Sequence, residues 1–178
     1  MSAILRSLRL IQEFEIELES SRKKFIQNLK NNVDDEEIKF GTSILDVFSQ
    51  GYSKYKGKVG HKKFVLKKRS RLFDIGKNIA VVTGKYKENG RSLILAIEIN
   101  AFQTGMKIFY GFLSLFYLIF IANLVGSIIS GSTDELPFII IMTILQMTFF
   151  FGVPYLIMRR SIRYLKSEII RDFTALSQ

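Results

Sequence analysis

The sequence contains no cysteine and a single histidine, and both shortages restrict the chemistry it can support. Without cysteine the chain can form neither a disulfide nor a thiolate site, and a reducing compartment is permitted. One histidine is too few for the usual zinc site, and His61 stands in the segment GHKK, which is typical of a solvated turn. The sequence therefore predicts no metal site.

Sequence motifs of catalysis are missing too. There is no Gly-x-Ser-x-Gly nucleophile motif and no phosphate-cradling loop of the Walker type. The acids at 34–37 form a continuous run rather than two spaced carboxylates, and they are expected in a solvated turn. We therefore predict a non-enzymatic protein that needs no cofactor.

Charge nearly disappears between residues 108 and 158, where Asp134 and Glu135 are the only charged residues. Two uncharged runs, 108–130 and 136–158, lie on either side of this acidic pair. About 20 apolar helical residues cross a bilayer core of about 30 Å. Soluble core helices of this length without a charge would be unusual. The two runs therefore predict two transmembrane helices.

The segment between the two runs, GSTDELP, is too short to cross back through the bilayer and contains no Lys or Arg. The two helices should therefore form a hairpin over residues 105–158, with both termini on one side. Bases flank the hairpin and are predicted to be its membrane-interface anchors: Lys107, Arg159, Arg160 and Arg163. The positive-inside bias then predicts an inner (plasma) membrane protein with both termini in the cytoplasm.

Small and polar residues inside the two runs predict where helices pack together. The candidates are Ala122, Asn123, Gly126, Ser130, Thr143 and Gln146. Small residues spaced by four let helix backbones approach closely in lipid. Asn123 and Thr143 lie at matching depth, so Asn123 is expected to meet Thr143 or Gln146 across the hairpin. Packing within one chain is favoured, and a homo-oligomer interface or a polar pore lining are the alternatives.

Residues 1–104 are predicted to form a cytoplasmic α+β domain with an antiparallel sheet of about five or six strands. The alternating segment EFEIELE predicts a strand, and a helix capped by Ser20 or Ser21 should follow to about Val33. Strands are also predicted at SILDVFS, YKGKV and KKFVLKK, and Asn89-Gly90 predicts a two-residue hairpin turn between two further strands.

Both ends of the sequence have the spacing of amphipathic helices. At the start, Arg6 and Arg9 interrupt the apolar residues, which argues against a signal peptide. This short helix is expected to pack on the domain, with the membrane interface as the alternative. Residues 159–178 predict a cytoplasmic amphipathic helix whose apolar stripe docks on the sheet, with a self-associating coiled coil as the alternative.

The order of a strand, a helix, YKGKV…KKFVL, VVTGKYKENGRSLIL and a membrane hairpin resembles small uncharacterised bacterial inner-membrane proteins. These have a cytoplasmic α+β domain followed by a two-helix transmembrane hairpin, and the resemblance covers about residues 13–160. It implies a bacterial inner membrane and no activity. The element order also resembles a helix-grip lipid-binding fold, although the second early helix of such folds is missing here.

A basic region supplies the best lead to a function. Residues 54–91 contain 13 Lys/Arg against Asp74 and Glu88, and the whole chain has a net charge of +10. Beside the cytoplasmic leaflet each Lys or Arg contributes about 1 kcal/mol of attraction to anionic lipid. The residues predicted to bind lipid or another anion are Lys62, Lys63, Lys67, Lys68, Arg69 and Arg71. A solvated face is the plain alternative, and nucleic acid is disfavoured as a partner.

These observations predict a non-enzymatic integral membrane protein whose basic cytoplasmic domain binds a ligand or partner at the inner membrane surface. Anionic lipid or an apolar ligand in the concavity of the sheet is the favoured ligand. The alternative is an oligomeric membrane-perturbing or pore-forming effector that the cytoplasmic domain gates.

Overall fold

A computed structural model describes residues 2–36, 38, 53–69, 79–89, 92–129 and 136–177. The chain is α+β and divides into two compact units. The first unit contains residues 1–103 together with residues 157–178, and the second contains residues 104–156. Residues 159–178 therefore belong to the same compact unit as the sheet.

The elements of the chain follow one another in a simple order. They are α1 (Ser2–Ser7), β1 (Ile11–Leu18), α2 (Arg22–Asn31), β2 (Val33–Asp35), β3 (Tyr55–Val59), β4 (Lys63–Lys68), β5 (Val81–Asn89), β6 (Ser92–Asn100), α3 (Thr104–Ile129) and α4 (Leu136–Ser177). Helix α4 includes both the second apolar run and the C-terminal segment, which the sequence analysis treated as two elements.

The six strands form one sheet in the order β1-β6-β5-β4-β3-β2. All neighbours are antiparallel except β2 and β3, which pair in parallel from Val33↔Tyr55 to Asp35↔Gly57. The sheet is therefore mixed rather than antiparallel as predicted. A parallel pair requires a long crossover connection, and residues 36–54 provide it.

The prediction that acids 34–37 lie in a solvated turn was wrong for the first two. Asp34 and Asp35 belong to β2 at the edge of the sheet. Asp34 accepts hydrogen bonds from the guanidinium of Arg69 and from the backbone N–H of Ser53. Asp34 is accommodated in this strand because Arg69, which directly follows β4, neutralises it.

Several local predictions concern the ends of elements. Ser21 is the N-cap of α2, and its hydroxyl accepts a hydrogen bond from the backbone N–H of Lys24. Strands β5 and β6 pair from Val81↔Asn100 to Asn89↔Ser92, so the predicted hairpin is confirmed. Asn89 belongs to β5, however, and a turn made of Asn89 and Gly90 would instead pair residue 88 with residue 91, so the turn was predicted one position too early. The strand predicted at residues 43–49 lies outside the described residues, as do Arg71 and Ser130.

The core of the first unit lies on one face of the sheet. Four alternating residues of β6 are buried on this face: Leu93, Leu95, Ile97 and Ile99. The last part of α4 buries its own apolar stripe, which consists of Ile162, Leu165, Ile169 and Phe173. The ring of Phe173 lies 5.5 Å from the ring of Phe25 in α2 and 5.5 Å from that of Phe64 in β4. The end of α4 therefore packs on the sheet beside α2.

A glycine beneath this aromatic cluster makes the packing possible. Gly84 of β5 pairs with Phe64 of β4, and the ring of Phe64 lies directly over the glycine. A Cβ atom at residue 84 would lie 2.0 Å from Cζ of Phe64. Any larger residue must displace the ring.

The second unit contains α3 and the first part of α4. Both helices are long and apolar enough to cross a membrane, over Thr104–Gly126 and from Pro137 onward. The ring of Phe151 stacks on Tyr110 at 5.6 Å and lies 5.9 Å from Tyr117. The hydroxyl of Tyr110 also donates to the backbone carbonyl of Phe151 at 3.3 Å.

Four of the predicted packing residues of the two runs are exposed in the described chain: Ala122, Asn123, Gly126 and Gln146. A Cβ atom at Gly126 would meet no atom within 4 Å among the described residues. The side-chain amide of Asn123 donates to the carbonyl of Ile119, and the hydroxyl of Thr143 donates to that of Ile139. Both polar groups are thus bonded within their own helices, and the pairing of Asn123 across the helices stays a prediction.

We expect Gly84→Ala to lower the free energy of unfolding by about 1–3 kcal/mol, the usual cost of overpacking a core. The measurement is the thermal unfolding midpoint of the full chain in detergent. Gly111→Ala is the matched control, since a Cβ there meets no atom within 4 Å among the described residues. Equal midpoints for the two variants would contradict the close packing of Phe64 on Gly84.

Candidate anion-binding site

Three of the predicted anion-binding bases are buried. Lys67, Lys68 and Arg69 are each less than 10% exposed. Lys68 Nζ lies 2.8 Å from both carboxylate oxygens of Glu168 in α4, and it also lies 4.6 Å from the ring of Tyr164. Lys68 therefore binds the last part of α4 to the sheet and does not present its charge at the surface.

Arg69 is engaged in the same way at the edge of the sheet. Its guanidinium donates to the carboxylates of Asp34, at 2.8 Å, and of Glu36, at 2.5 Å. Hydrogen bonds from Ser53 and Arg69 hold the pKa of Asp34 below its ordinary value, although burial opposes them. The carboxylate of Asp34 is thus stabilised in its charged form. Its partner Arg69 had been predicted to bind a lipid or another anion, and it binds an acid of the protein instead.

A second group of polar contacts joins α4 to the start of β3. We call Lys54, Tyr55, Lys68, Glu168 and Asp172 together the ionic latch. Lys54 Nζ lies 2.5 Å from the carboxylate of Asp172 and 2.8 Å from that of Glu168. The hydroxyl of Tyr55 donates to Asp172 at 2.7 Å. Burial would raise the pKa of Asp172, but the hydrogen bonds from Lys54 and Tyr55 lower it below its ordinary value.

The remaining predicted bases differ in position. Lys62 and Lys63 are exposed at the β3–β4 turn, beside the exposed His61. The carbonyl of His61 accepts a hydrogen bond from Arg22, which agrees with a turn residue. Lys62 and Lys63 therefore remain accessible to an anion, whereas Lys67, Lys68 and Arg69 do not.

Four arginines meet instead at another place in the first unit, which we call the arginine pocket. Arg6 of α1, Arg9 of the following turn, and Arg159 and Arg163 of α4 line it together with Glu13 of β1. The pocket has a volume of about 420 Å³. Arg159 and Arg163 are four residues apart, so they lie on the same side of α4.

The backbone between α1 and β1 fixes the position of Arg9. Its N–H donates to the carbonyl of Arg6, and the N–H of Leu10 donates to that of Leu5. The N–H of Ala101 donates to the carbonyl of Leu10, which joins the turn to the end of β6. Arg9 has a φ of 56°, a left-handed conformation that is uncommon for residues other than glycine.

The charges of the arginine pocket are not balanced. Arg6 forms an ion pair with Glu13. In the part of the chain that the structure describes, Arg9, Arg159 and Arg163 form no ion pair. The Nε atom of Arg159 is buried and has no hydrogen-bond partner there. A buried donor without a partner is unfavourable, and the three arginines bring positive charge that no described acid balances.

The sequence analysis singled out the four arginines of this pocket separately, but it did not predict that they lie close together. Arg159 and Arg163 were predicted to be interface anchors, while Arg6 and Arg9 were only evidence against a signal peptide. Nothing in local periodicity relates the start of the sequence to residues 159–163. The fold brings them together because the last part of α4 belongs to the same compact unit as α1 and β1.

Within the described ranges, no group of three or more His, Cys, Asp or Glu is arranged to hold a metal ion. No protein-family model matches the chain, and no curated protein matches it. The arginine pocket is therefore interpreted from its own chemistry. Its chemistry suits an anion, because a guanidinium group carries five N–H donors and no acceptor atom.

To test the ionic latch, we expect Lys68→Met to lower the free energy of unfolding by about 3–5 kcal/mol, because it leaves Glu168 buried with one base fewer. The measurement is chemical unfolding of the full chain in detergent. The double variant Lys68→Met/Glu168→Gln should regain part of the loss, since it removes the charge left in the core.

The matched control for the latch is an exposed pair of the same length. Lys87 Nζ lies 2.8 Å from Glu15, and their side chains are 60% and 58% exposed. Lys87→Met should cost at most about 1 kcal/mol, as exposed ion pairs do. Similar losses for Lys68→Met and Lys87→Met would show that Lys68 does not stabilise the packing of α4.

Proposed function

We propose that this chain is a non-enzymatic integral protein of the bacterial inner membrane that binds the headgroup of an anionic lipid in the arginine pocket. In this proposal α3 and the first part of α4 anchor the protein, and both termini are cytoplasmic. The observation that carries the proposal is the unbalanced positive charge of the pocket, with one buried donor of Arg159 left without a partner.

The place of these arginines in the sequence supports a lipid as the anion. Arg159 directly follows Met158, the last residue of the second apolar run, and Arg163 follows one helical turn later. Bases at the cytoplasmic end of a membrane helix lie at the level of the lipid headgroups. A free metabolite would need no such placement.

The short N-terminal helix gives further support. Ile4 of α1 is 64% exposed, and Leu8 of the following turn is 42% exposed. These apolar side chains lie within a few residues of Arg6 and Arg9 of the pocket. Exposed apolar residues alternating with arginine are typical of segments that lie in a membrane interface.

The interior of the domain favours a headgroup over an acyl chain as the bound part. Between the sheet and its helices, the rings of Phe25, Phe64, Tyr86 and Phe173 lie within about 6 Å of their neighbours. Phe25, Phe64 and Phe173 have no exposed surface. Such close packing leaves little room for an acyl chain between these rings, which supports a headgroup as the bound part.

The test is a titration of the full chain, in neutral-detergent micelles, with dye-labelled phosphatidylglycerol. We expect saturable binding at 0.05 M salt and little at 1 M, because the Debye length shrinks from over 10 Å to about 3 Å. The triple variant Arg9→Gln/Arg159→Gln/Arg163→Gln should bind at least about tenfold more weakly, as the loss of charge-assisted hydrogen bonds requires.

Two control variants make this test specific. Arg160→Gln removes a base from the same helix turn, but Arg160 is exposed and does not line the pocket, so binding should be unchanged. Lys62→Gln/Lys63→Gln removes the exposed bases of the β3–β4 turn. If the lysine variant lost binding while the triple arginine variant kept it, the assignment to the pocket would be wrong.

The proposed orientation has its own test, by labelling single cysteines on intact cells with an impermeant thiol reagent. Ser132→Cys, in the connecting segment outside the described residues, should react. Ala175→Cys, which is exposed near the end of α4, should react only after the cells are permeabilised. Reaction of Ala175→Cys on intact cells would reverse the orientation.

A further inference from the structure

We propose that the arginine pocket selects a membrane lipid with a phosphate monoester headgroup over the more common phosphodiester lipids. This inference rests on the proposed function and adds the chemical class of its ligand. Its argument comes from the charge of the pocket, the number of its unpaired guanidinium groups and its size.

The charge of the pocket exceeds that of a phosphodiester. Four arginines and Glu13 line it, and Arg6 is already paired with Glu13. Three positive charges therefore remain. A phosphodiester brings a single negative charge, whereas a phosphate monoester brings about 1.5 to 2 at pH 7. The monoester compensates the pocket more completely.

The donors of the pocket match the oxygens of a monoester. Arg9, Arg159 and Arg163 form no ion pair with described residues, so three guanidinium forks are available. A monoester has three terminal oxygens, and a diester has only two that are not bridged. One guanidinium group can donate two parallel hydrogen bonds to two phosphate oxygens, so the additional terminal oxygen of a monoester allows more of these bonds than a diester does.

The size of the pocket suits a small headgroup held at the surface of the bilayer. Its volume of about 420 Å³ lies within the range of small-molecule sites, which is about 300–1,000 Å³. A phosphate with its glycerol carbons fits in this space beside Arg159 and Arg163, which line it. The acyl chains then remain in the bilayer.

The experiment compares two dye-labelled lipids, phosphatidic acid and phosphatidylglycerol, on the full chain in neutral-detergent micelles at pH 7.5. Phosphatidic acid should bind at least about tenfold more tightly, the factor that one additional charge-assisted hydrogen bond supplies. Soluble glycerol 3-phosphate should compete only at a concentration at least about 100-fold higher, because it lacks the chains that hold the lipid in the micelle.

The conservative variant Arg159→Lys separates selectivity from charge. Lysine keeps the positive charge but loses the fork, so phosphatidic acid should bind about tenfold more weakly while phosphatidylglycerol changes less than twofold. Arg160→Lys is the control and should leave both affinities unchanged, since Arg160 is exposed and outside the pocket.

The outcomes distinguish this inference from the proposed function. Equal affinity for the two lipids, with both lost in the triple arginine variant, would overturn the monoester and leave the lipid site standing. Binding of neither lipid through these arginines would overturn both. Competition by glycerol 3-phosphate at the concentration of the lipid would overturn the membrane source of the ligand.

Discussion

The packing of the last part of α4 on the sheet is the contact on which the rest of the structure depends. Helix α4 begins in the second unit and ends in the core of the first. Phe173 closes the aromatic cluster, and the ionic latch holds Glu168 and Asp172 against the strands. Because Arg159 and Arg163 precede these residues in the same helix, this packing also determines where half of the arginine pocket lies.

The bases of this protein have two separate roles. Lys54, Lys68 and Arg69 face acids and hold the domain together, whereas Arg9 and Arg163 have no ion pair among the described residues. The sequence analysis predicted anion binding within residues 54–91, which include the first group, because this region is rich in Lys and Arg. The distinction between the groups lies in which of them meets a carboxylate.

Patterns of short range were sufficient for much of the fold. Alternation predicted β1 and the apolar face of β6, and β-rich segments beside turn residues predicted β3, β4 and β5. The capping preference predicted the start of α2 at Ser20 or Ser21, and the apolar runs predicted two helices long enough to cross a membrane. Strand β2 escaped prediction because its acids have no apolar alternation, and its pairing with β3 and the ion pair of Asp34 with Arg69 both join residues that are distant in the sequence. The arginine pocket was not predicted because its two halves are separated by about 150 residues in the sequence, and helix or strand periodicity relates only residues that are close in sequence.

The discontinuous first unit has a consequence for how the protein is made. Residues 157–177 are synthesised after both apolar runs, yet they supply Leu165, Ile169 and Phe173 to the core of a domain whose strands came earlier. Until then this face of the sheet is uncovered, and Phe25 and Phe64 lack their contacts with the ring of Phe173. The first unit therefore cannot be completed until both apolar runs have been synthesised, and a chain that stops between the runs lacks the helix segment that covers this face of the sheet.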